Sequence, residues 1–318
     1  MTFDTETVLD RRRLRRLMSF WRGLAIVALI AAIGAIAFTA AEETGLTGNK
    51  QIARVLVEGL ITDDRERLHL LKQIAEAKEV QALLVSVNSP GGTTTGGEAL
   101  FEALREVAKS KPVVAQFGTV AASAAYIVGL ACDHIVTRGN SITGSVGVIF
   151  QWAEVSQLLD KLGIKMNEIK SGPLKAVPSM FEPLGADGRS VTEQMVADSQ
   201  RWFLGLVSSR RGINTAAVPG LEQGRIFSGR EAVEYKLVDD IGGEAEAIKW
   251  LEDQRGVAKK LKVVDWKPKH EGTWSWVRIA SDAASRLLGF GSSRFIEDPA
   301  LAWMRLDGLV SVWHPAEK

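Results

Sequence analysis

The spacing of apolar residues predicts strands that alternate with helices. Short apolar runs typical of buried strands cover residues 52–61, 81–87, 113–117 and 133–137. Apolar residues at helical spacing predict helices over residues 64–77 and 97–109, the second of which ends before Pro112. Strands alternating with helices indicate βαβ units, so the fold class is α/β with a mainly parallel sheet.

Two capping boxes predict helices in the second half of the chain. Ser190 and Glu193 have the required spacing and open an amphipathic segment that runs to residue 211. Ser228 and Glu231 have the same spacing at the start of a shorter helix. Between the halves, residues 121–131 are small and apolar, which predicts a buried segment.

The N-terminal region has the pattern of a membrane anchor. Six arginines precede an uncharged stretch over residues 23–41, and Glu42 and Glu43 follow at once. Nineteen uncharged residues are enough to cross a bilayer as a helix, and the arginines favour a cytoplasmic position for residues 1–22. A cleaved signal peptide is the alternative, because Thr39 and Ala41 are small enough for a cleavage site. The apolar core of a signal peptide, however, spans only roughly 7–15 residues, fewer than the uncharged stretch of this chain. We expect a single-pass protein of a bacterial inner membrane with a periplasmic catalytic domain.

Composition limits the partners and the domain organisation. The net charge of +1 provides no overall field for nucleic acid, and the 46% hydrophobic residues are enough for a large core. The single cysteine, Cys132, excludes a disulfide within one chain and is interpreted as a core thiol. We predict a main domain over residues 42–255 and a tryptophan- and lysine-rich extension over 256–318, which packs on protein or contacts lipid headgroups.

Two short segments suggest a site for negative charge. Asn88-Ser-Pro-Gly-Gly92 follows a buried strand, and adjacent glycines let backbone N–H groups approach an anion. Ser123 stands among alanines where a strand gives way to a helix, so it is either a nucleophile or a small helix-capping residue.

A nucleophilic serine requires a base. The histidines lie on a surface helix, in a strand or in the tail, at positions 69, 134, 270 and 314. Lysine replaces histidine where burial favours its neutral form, and Lys175 lies in an apolar segment. An exposed loop lysine is the alternative interpretation of that residue.

Taken together, the segments NSPGG, AASAAY (121–126) and SGPLK (171–175) resemble the signal peptide peptidase A family, the serine–lysine peptidases of family S49. The resemblance covers about residues 52–251 and includes TGSVGV at 143–148. It implies Ser123 as nucleophile and Lys175 as general base. It also implies an oxyanion hole formed by the N–H groups of Gly92 and Ala124, with Gly91 shaping the turn.

The resemblance carries further expectations. It implies a crotonase- and ClpP-like ββα spiral fold, a ring-like homo-oligomer, a dyad shared between adjacent subunits, no cofactor or metal, and cleaved signal peptides as substrates. The family's usual serine-glycine-glycine-tyrosine is Ser123-Ala-Ala-Tyr126 here, and the added methyl of Ala124 is expected to narrow the adjacent pocket.

Three alternatives stay open at this stage. Ser145 is flanked by glycines and could be mistaken for the nucleophile, but a turn that lines the substrate cleft is the simpler interpretation. An acyl-CoA hydratase-like enzyme would need a glutamate at the site, and Glu98 is the one near the NSPGG segment. A non-catalytic membrane assembly subunit would use Ser123 structurally.

Overall fold

In the computed structural model the chain divides into two units, residues 1–50 and 51–318. The structure describes residues 21–31, 50–268 and the backbone of 309–312. In the first unit, helix α1 covers residues 21–31, and the rest of the predicted span, 32–41, lies outside the described residues. No helix in the described ranges is long and apolar enough to cross a bilayer.

The second unit is built around a sheet in which ten strands are described. They are β1 (Gln51–Ile61), β2 (Val80–Thr93), β3 (Val113–Ala122), β4 (His134–Thr137), β5 (Ile142–Gly144), β6 (Ile149–Phe150), β7 (Ile226–Ser228), β8 (Asp240–Ile241), β9 (Lys262–Asp265) and β10 (Leu309–Val312). Neighbouring strands in the series β9-β1-β2-β3-β4-β8 are parallel. The predicted parallel sheet is therefore confirmed, and the chain beyond residue 255 adds two strands to it.

Seven helices are described in this unit. They are α2 (Arg65–Glu76), α3 (Thr94–Ala108), α4 (Ala124–Ala131), α5 (Ser156–Lys161), α6 (Ala186–Arg211), α7 (Gly229–Glu234) and α8 (Glu244–Arg255). The capping box of Ser228 and Glu231 is formed as predicted. The box predicted at Ser190 is wrong, because α6 begins four residues earlier, after Gly185, with no side-chain cap.

Apolar residues on both faces of the sheet hold it between helices. Alternate residues of β1 and β2 belong to two separate buried clusters, as the period of a strand requires. The larger cluster includes α2, α3 and α4, and all eight residues of α4 are buried. The smaller cluster packs against α8.

The NSPGG segment differs from the prediction. The sequence predicts a loop after the strand, but residues 88–92 continue β2 as far as Thr93. Leu60 and Ile61 of β1 pair with Gly91 and Gly92, and this pairing keeps the segment extended.

Candidate active site

Ser123 occupies a strained turn between a strand and a helix. It follows the last residue of β3 and is the N-terminal cap of α4, with φ 61° and ψ −121°. A backbone in this region is costly for a residue other than glycine, and a strained strand-to-helix turn is a known way to present a nucleophile. The Ser123 N–H donates to the Gly144 carbonyl at 2.9 Å, which fixes the turn.

The glycines of β2 lie beside this turn. Ser89 of β2 pairs with Ala121 of β3, the last pair between these strands, and Gly91 and Ser123 each follow two residues later in the chain. Gly91 has φ 114°, and its N–H donates to the hydroxyl of Ser89 at 3.1 Å. A Cβ atom on Gly92 would stand 1.8 Å from the Ile61 carbonyl oxygen, so this position has no room for a side chain.

Ala124 begins α4, and its N–H is one of the first-turn donors that a helix does not satisfy internally. The helix dipole adds partial positive charge at this end. A Cβ atom built on Gly97 of α3 would lie 3.2 Å from the Ala124 methyl, so that methyl points into the contact between α3 and α4. The expectation that it narrows a substrate pocket is therefore not supported.

Ser145 follows β5 with φ 52°, and its N–H donates to the Arg225 carbonyl at 2.9 Å. It lines a cleft of about 340 Å³ together with residues of α6 and of the turn before β7. Gly144, the residue before Ser145, accepts the hydrogen bond from the Ser123 N–H. The cleft therefore lies close to the candidate nucleophile.

Lys175 does not fit the expectation of a buried base within one chain. It lies in an irregular segment between α5 and α6, where its side chain is exposed. Its N–H donates to the Gly172 carbonyl at 3.1 Å, and the next residue, Ala176, has φ 59°. Of the apolar neighbours that suggested burial, Leu174 and Met180 are themselves exposed, whereas Val177 is half-buried against Gly188 of α6.

Other possible nucleophiles and bases have structural roles. Cys132 is buried, and burial raises the pKa of its thiol, which disfavours a thiolate. His134 stacks on Trp250 with ring centroids 4.5 Å apart and contacts Asp240 through Nε2 at 2.9 Å. His69 lies on α2, whereas positions 270 and 314 lie outside the described residues.

One side chain next to the site was not predicted. Asn88 accepts hydrogen bonds through Oδ1 from the N–H groups of Thr119 and Val120, at 3.1 and 3.2 Å. An asparagine directly after a buried apolar run could have indicated such a backbone contact.

Glu98 is exposed on α3, whereas the residue before it, Gly97, is buried against α4. This placement does not support the hydratase-like alternative.

Comparisons with known proteins identify the family of the chain. The family model described as peptidase family S49 matches residues 105–258, and the Clp protease model matches residues 52–147. A solved structure of a membrane-bound, stomatin-specific protease aligns with 70% of this chain and 99% of its own, at 14% identity and a TM-score of 0.46.

Several curated relatives are named as proteases. A putative protease of Synechocystis is 35% identical over 65% of this chain and 76% of its own length. A putative signal peptide peptidase SppA of Enterococcus faecium is 33% identical over 73% and 72%. A putative protease of Methanocaldococcus jannaschii is 28% identical over 90% and 96%. With these matches and a mixed α/β fold, the chain belongs to the signal peptide peptidase A family of S49 peptidases and is a serine peptidase.

Proposed function

We propose that the chain is a membrane-anchored endopeptidase in which Ser123 is the nucleophile and Lys175 the general base. The observation that carries the proposal is the strained turn of Ser123 at the end of β3, the strand that pairs with β2, which bears the NSPGG segment. The neutral amine of Lys175 accepts the hydroxyl proton as Oγ attacks a peptide carbonyl. The N–H groups of Gly92 and Ala124 stabilise the oxyanion, and loss of one such donor costs about 3 kcal/mol in barrier.

The base is supplied by a neighbouring copy of the chain. Lys175 is exposed on an apolar segment, and exposed apolar surface of this kind is typical of protein–protein contacts. Contact with a second copy would bury the amine and favour its neutral form. The assembly is a homo-oligomer, and a ring is the form we propose.

The substrate binds as an extended strand along the end of β2. Strand β10 supports this binding mode, because it pairs antiparallel with Gly91–Thr93 on one side and with β6 on the other. A peptide added to a sheet edge gains affinity from main-chain hydrogen bonds and selectivity from side-chain clefts. The cleft beside Ser145 is such a cleft.

Residues 23–41 anchor the chain in a bacterial inner membrane, with residues 1–22 cytoplasmic and the peptidase domain periplasmic. This part of the proposal rests on the arginines before the uncharged stretch. Because the anchor holds the peptidase domain at the membrane surface, we propose cleaved signal peptides and other membrane-associated peptides as its substrates.

A serine-directed fluorophosphonate tests the dyad. We expect the adduct to map to Ser123 and to be lost in Lys175→Ala, whereas Lys165→Ala, which removes an exposed lysine from the same segment, should label like the parent. Labelling elsewhere, or unchanged labelling of folded Lys175→Ala, would overturn the assignment.

Mixing inactive variants tests the shared site. Ser123→Ala and Lys175→Ala each lack one dyad member, so assemblies of both restore activity only if the dyad forms between copies. No recovery from mixed assemblies would place the dyad within one chain.

The neutral lysine is the competent form, so activity should rise toward alkaline pH until the amine is fully deprotonated. A pH–rate profile that is flat from about pH 6 to 9 would contradict a lysine base.

A further inference from the structure

The pairing of β2 and β3 is interrupted just before Ser123. Val87 pairs with Phe117, and the next pair is Ser89 with Ala121. Between these pairs β2 advances by two residues and β3 by four, so β3 contains two extra residues. Bulges of this kind bend a strand and redirect the side chains that follow, and they are frequent next to active sites.

Side chains from two neighbouring segments hold the bulge of Gly118–Val120. Oδ1 of Asn88 accepts from the N–H groups of Thr119 and Val120, at 3.1 and 3.2 Å. The Ser141 hydroxyl donates to the Gly118 carbonyl. Because both contacts of Asn88 come from N–H donors, they also fix which end of its amide faces the bulge.

The fit between Asn88 and the bulge is close. A Cβ atom on Gly118 would lie 3.1 Å from Cβ, Cγ and Oδ1 of Asn88, which is tighter than ordinary packing. An alanine at Gly118 would therefore require the Asn88 side chain to shift by a few tenths of an ångström.

Asn88 also precedes the candidate oxyanion residues on the same strand. Gly91 and Gly92 follow it by three and four positions, and Ser123 follows Val120 by three. The side chain thus links the strand end that bears the backbone donors to the strand end that bears the nucleophile.

We propose that Asn88 is a positioning residue of the peptidase, which sets the distance between Ser123 and the oxyanion donors by bonding the β3 bulge. The inference rests on the proposed role of Ser123. In a variant without the Asn88 oxygen, water can accept from the N–H groups of Thr119 and Val120, because both hydrogen bonds are exposed to solvent. The effect should therefore fall on the geometry of the site more than on folding, and misplacement of reacting groups by about 1 Å costs about 100-fold in rate.

The test compares Asn88→Ala with Asn88→Asp. Removal of the acceptor should lower kcat and the second-order rate of labelling by a fluorophosphonate by about 10- to 100-fold, with KM nearly unchanged. Aspartate keeps an oxygen at the same position and should restore most of the rate. Ser86→Ala is the matched control, because the Ser86 hydroxyl bonds Gln116 between the same strands, upstream of the bulge, at 3.2 Å.

Labelling of folded Asn88→Ala at the parental rate would overturn the inference, as would equal losses in Asn88→Ala and Asn88→Asp. If Asn88→Ala fails to fold, Asn88→Ser, whose hydroxyl is too short to reach both N–H groups, is compared with Asn88→Asp in its place. A failure of the proposed function is distinguishable, because the wild-type adduct would then map to a residue other than Ser123.

Discussion

Ser123 combines a side chain that is 1% exposed with a backbone conformation that is unfavourable for serine. Such strain costs about 1–3 kcal/mol and persists only where the surroundings impose it. Here the Ser123 N–H bonds Gly144, while the Ser123 carbonyl accepts from Tyr126 and Ile127 in the first turn of α4. The buried helix anchors this turn, since the Tyr126 hydroxyl donates to the Leu237 carbonyl at 2.7 Å. The rigidity that catalysis needs therefore comes from residues without a chemical role.

Gly92 provides a test at a single residue. In Gly92→Ala the new methyl would meet the Ile61 carbonyl at 1.8 Å, so β1 and β2 must separate at the oxyanion position. We expect a lower melting temperature and at least about a 100-fold loss of peptidase activity, since an oxyanion donor is displaced.

Gly205→Ala is the control for this variant. Gly205 lies within α6, and no atom of a neighbouring segment lies within 4 Å of the position that an alanine methyl would take. Alanine should therefore be neutral there or stabilise the fold by up to about 1 kcal/mol. Full activity in Gly92→Ala would remove Gly92 from the site.

At the scale of elements, the sequence predicted helices and strands whose bounds depend on neighbouring residues in the chain, and it missed those that depend on pairing with distant segments. The helix predicted over residues 64–77 is present as α2. Its start agrees with the prediction because Asp64 caps it by accepting hydrogen bonds from the N–H groups of Glu66 and Arg67. The start of α6 was missed because Gly185 provides no side-chain cap. The NSPGG segment was misassigned because its extended form depends on pairing with β1, which no local pattern records.

Some parts of the candidate site were likewise predictable from the sequence, and others were not. Ser123 and the glycines lie toward the ends of two neighbouring parallel strands, and their joint role was implied by the family resemblance rather than by any local pattern. The exposure of Lys175 was not predicted, because apolar neighbours in the sequence do not determine whether the folded chain covers a segment. The bulge at Gly118–Val120 was also missed, since it is visible only in the register between two strands.

Arg54 joins three elements and gives a prediction about pH. Its guanidinium bonds Asp265 of β9 and Glu244 of α8, and the hydrogen bond from Arg54 lowers the pKa of the Asp265 carboxyl. A carboxyl whose pKa is lower in the folded than in the unfolded protein stabilises the fold at pH values above its unfolded pKa, about 3.9. This stabilisation is lost as the pH falls through the pKa of the folded state.

We expect Arg54→Gln to lower the free energy of unfolding at pH 7 by at most about 1 kcal/mol, because the pairs are partly exposed and screened. The difference from the parent should shrink below about pH 4. Denaturant unfolding at both pH values measures it, with Lys109→Gln in the exposed Lys109–Glu106 pair as a control that should change little. An equal loss at pH 3 and pH 7 would show that packing rather than charge accounts for the effect.

At the scale of the whole molecule, strand β10 fills the position beside the end of β2. The parallel series from β9 to β8 forms the interior, whereas β10 comes from the far end of the chain and lies antiparallel at the end of β2. Val310 pairs with Thr93 on one side and with Ile149 on the other, and Ser311 pairs with Gly92. The chain thus places its own strand on the backbone that we assign to the substrate.

Removal of β10 should therefore make the end of β2 more accessible to peptides. For a variant that ends at residue 308, we expect a lower KM for an extended peptide and an unchanged kcat, because β10 competes for the edge without altering the chemistry. Val310→Pro tests the same idea in the full chain, since proline cannot donate to a ladder and so removes the Val310 N–H from the pairing of β10. Labelling by a small fluorophosphonate, which needs no strand pairing, should change less than peptide hydrolysis. A higher KM in both variants, with a lower melting temperature, would instead make β10 a structural strand of the sheet.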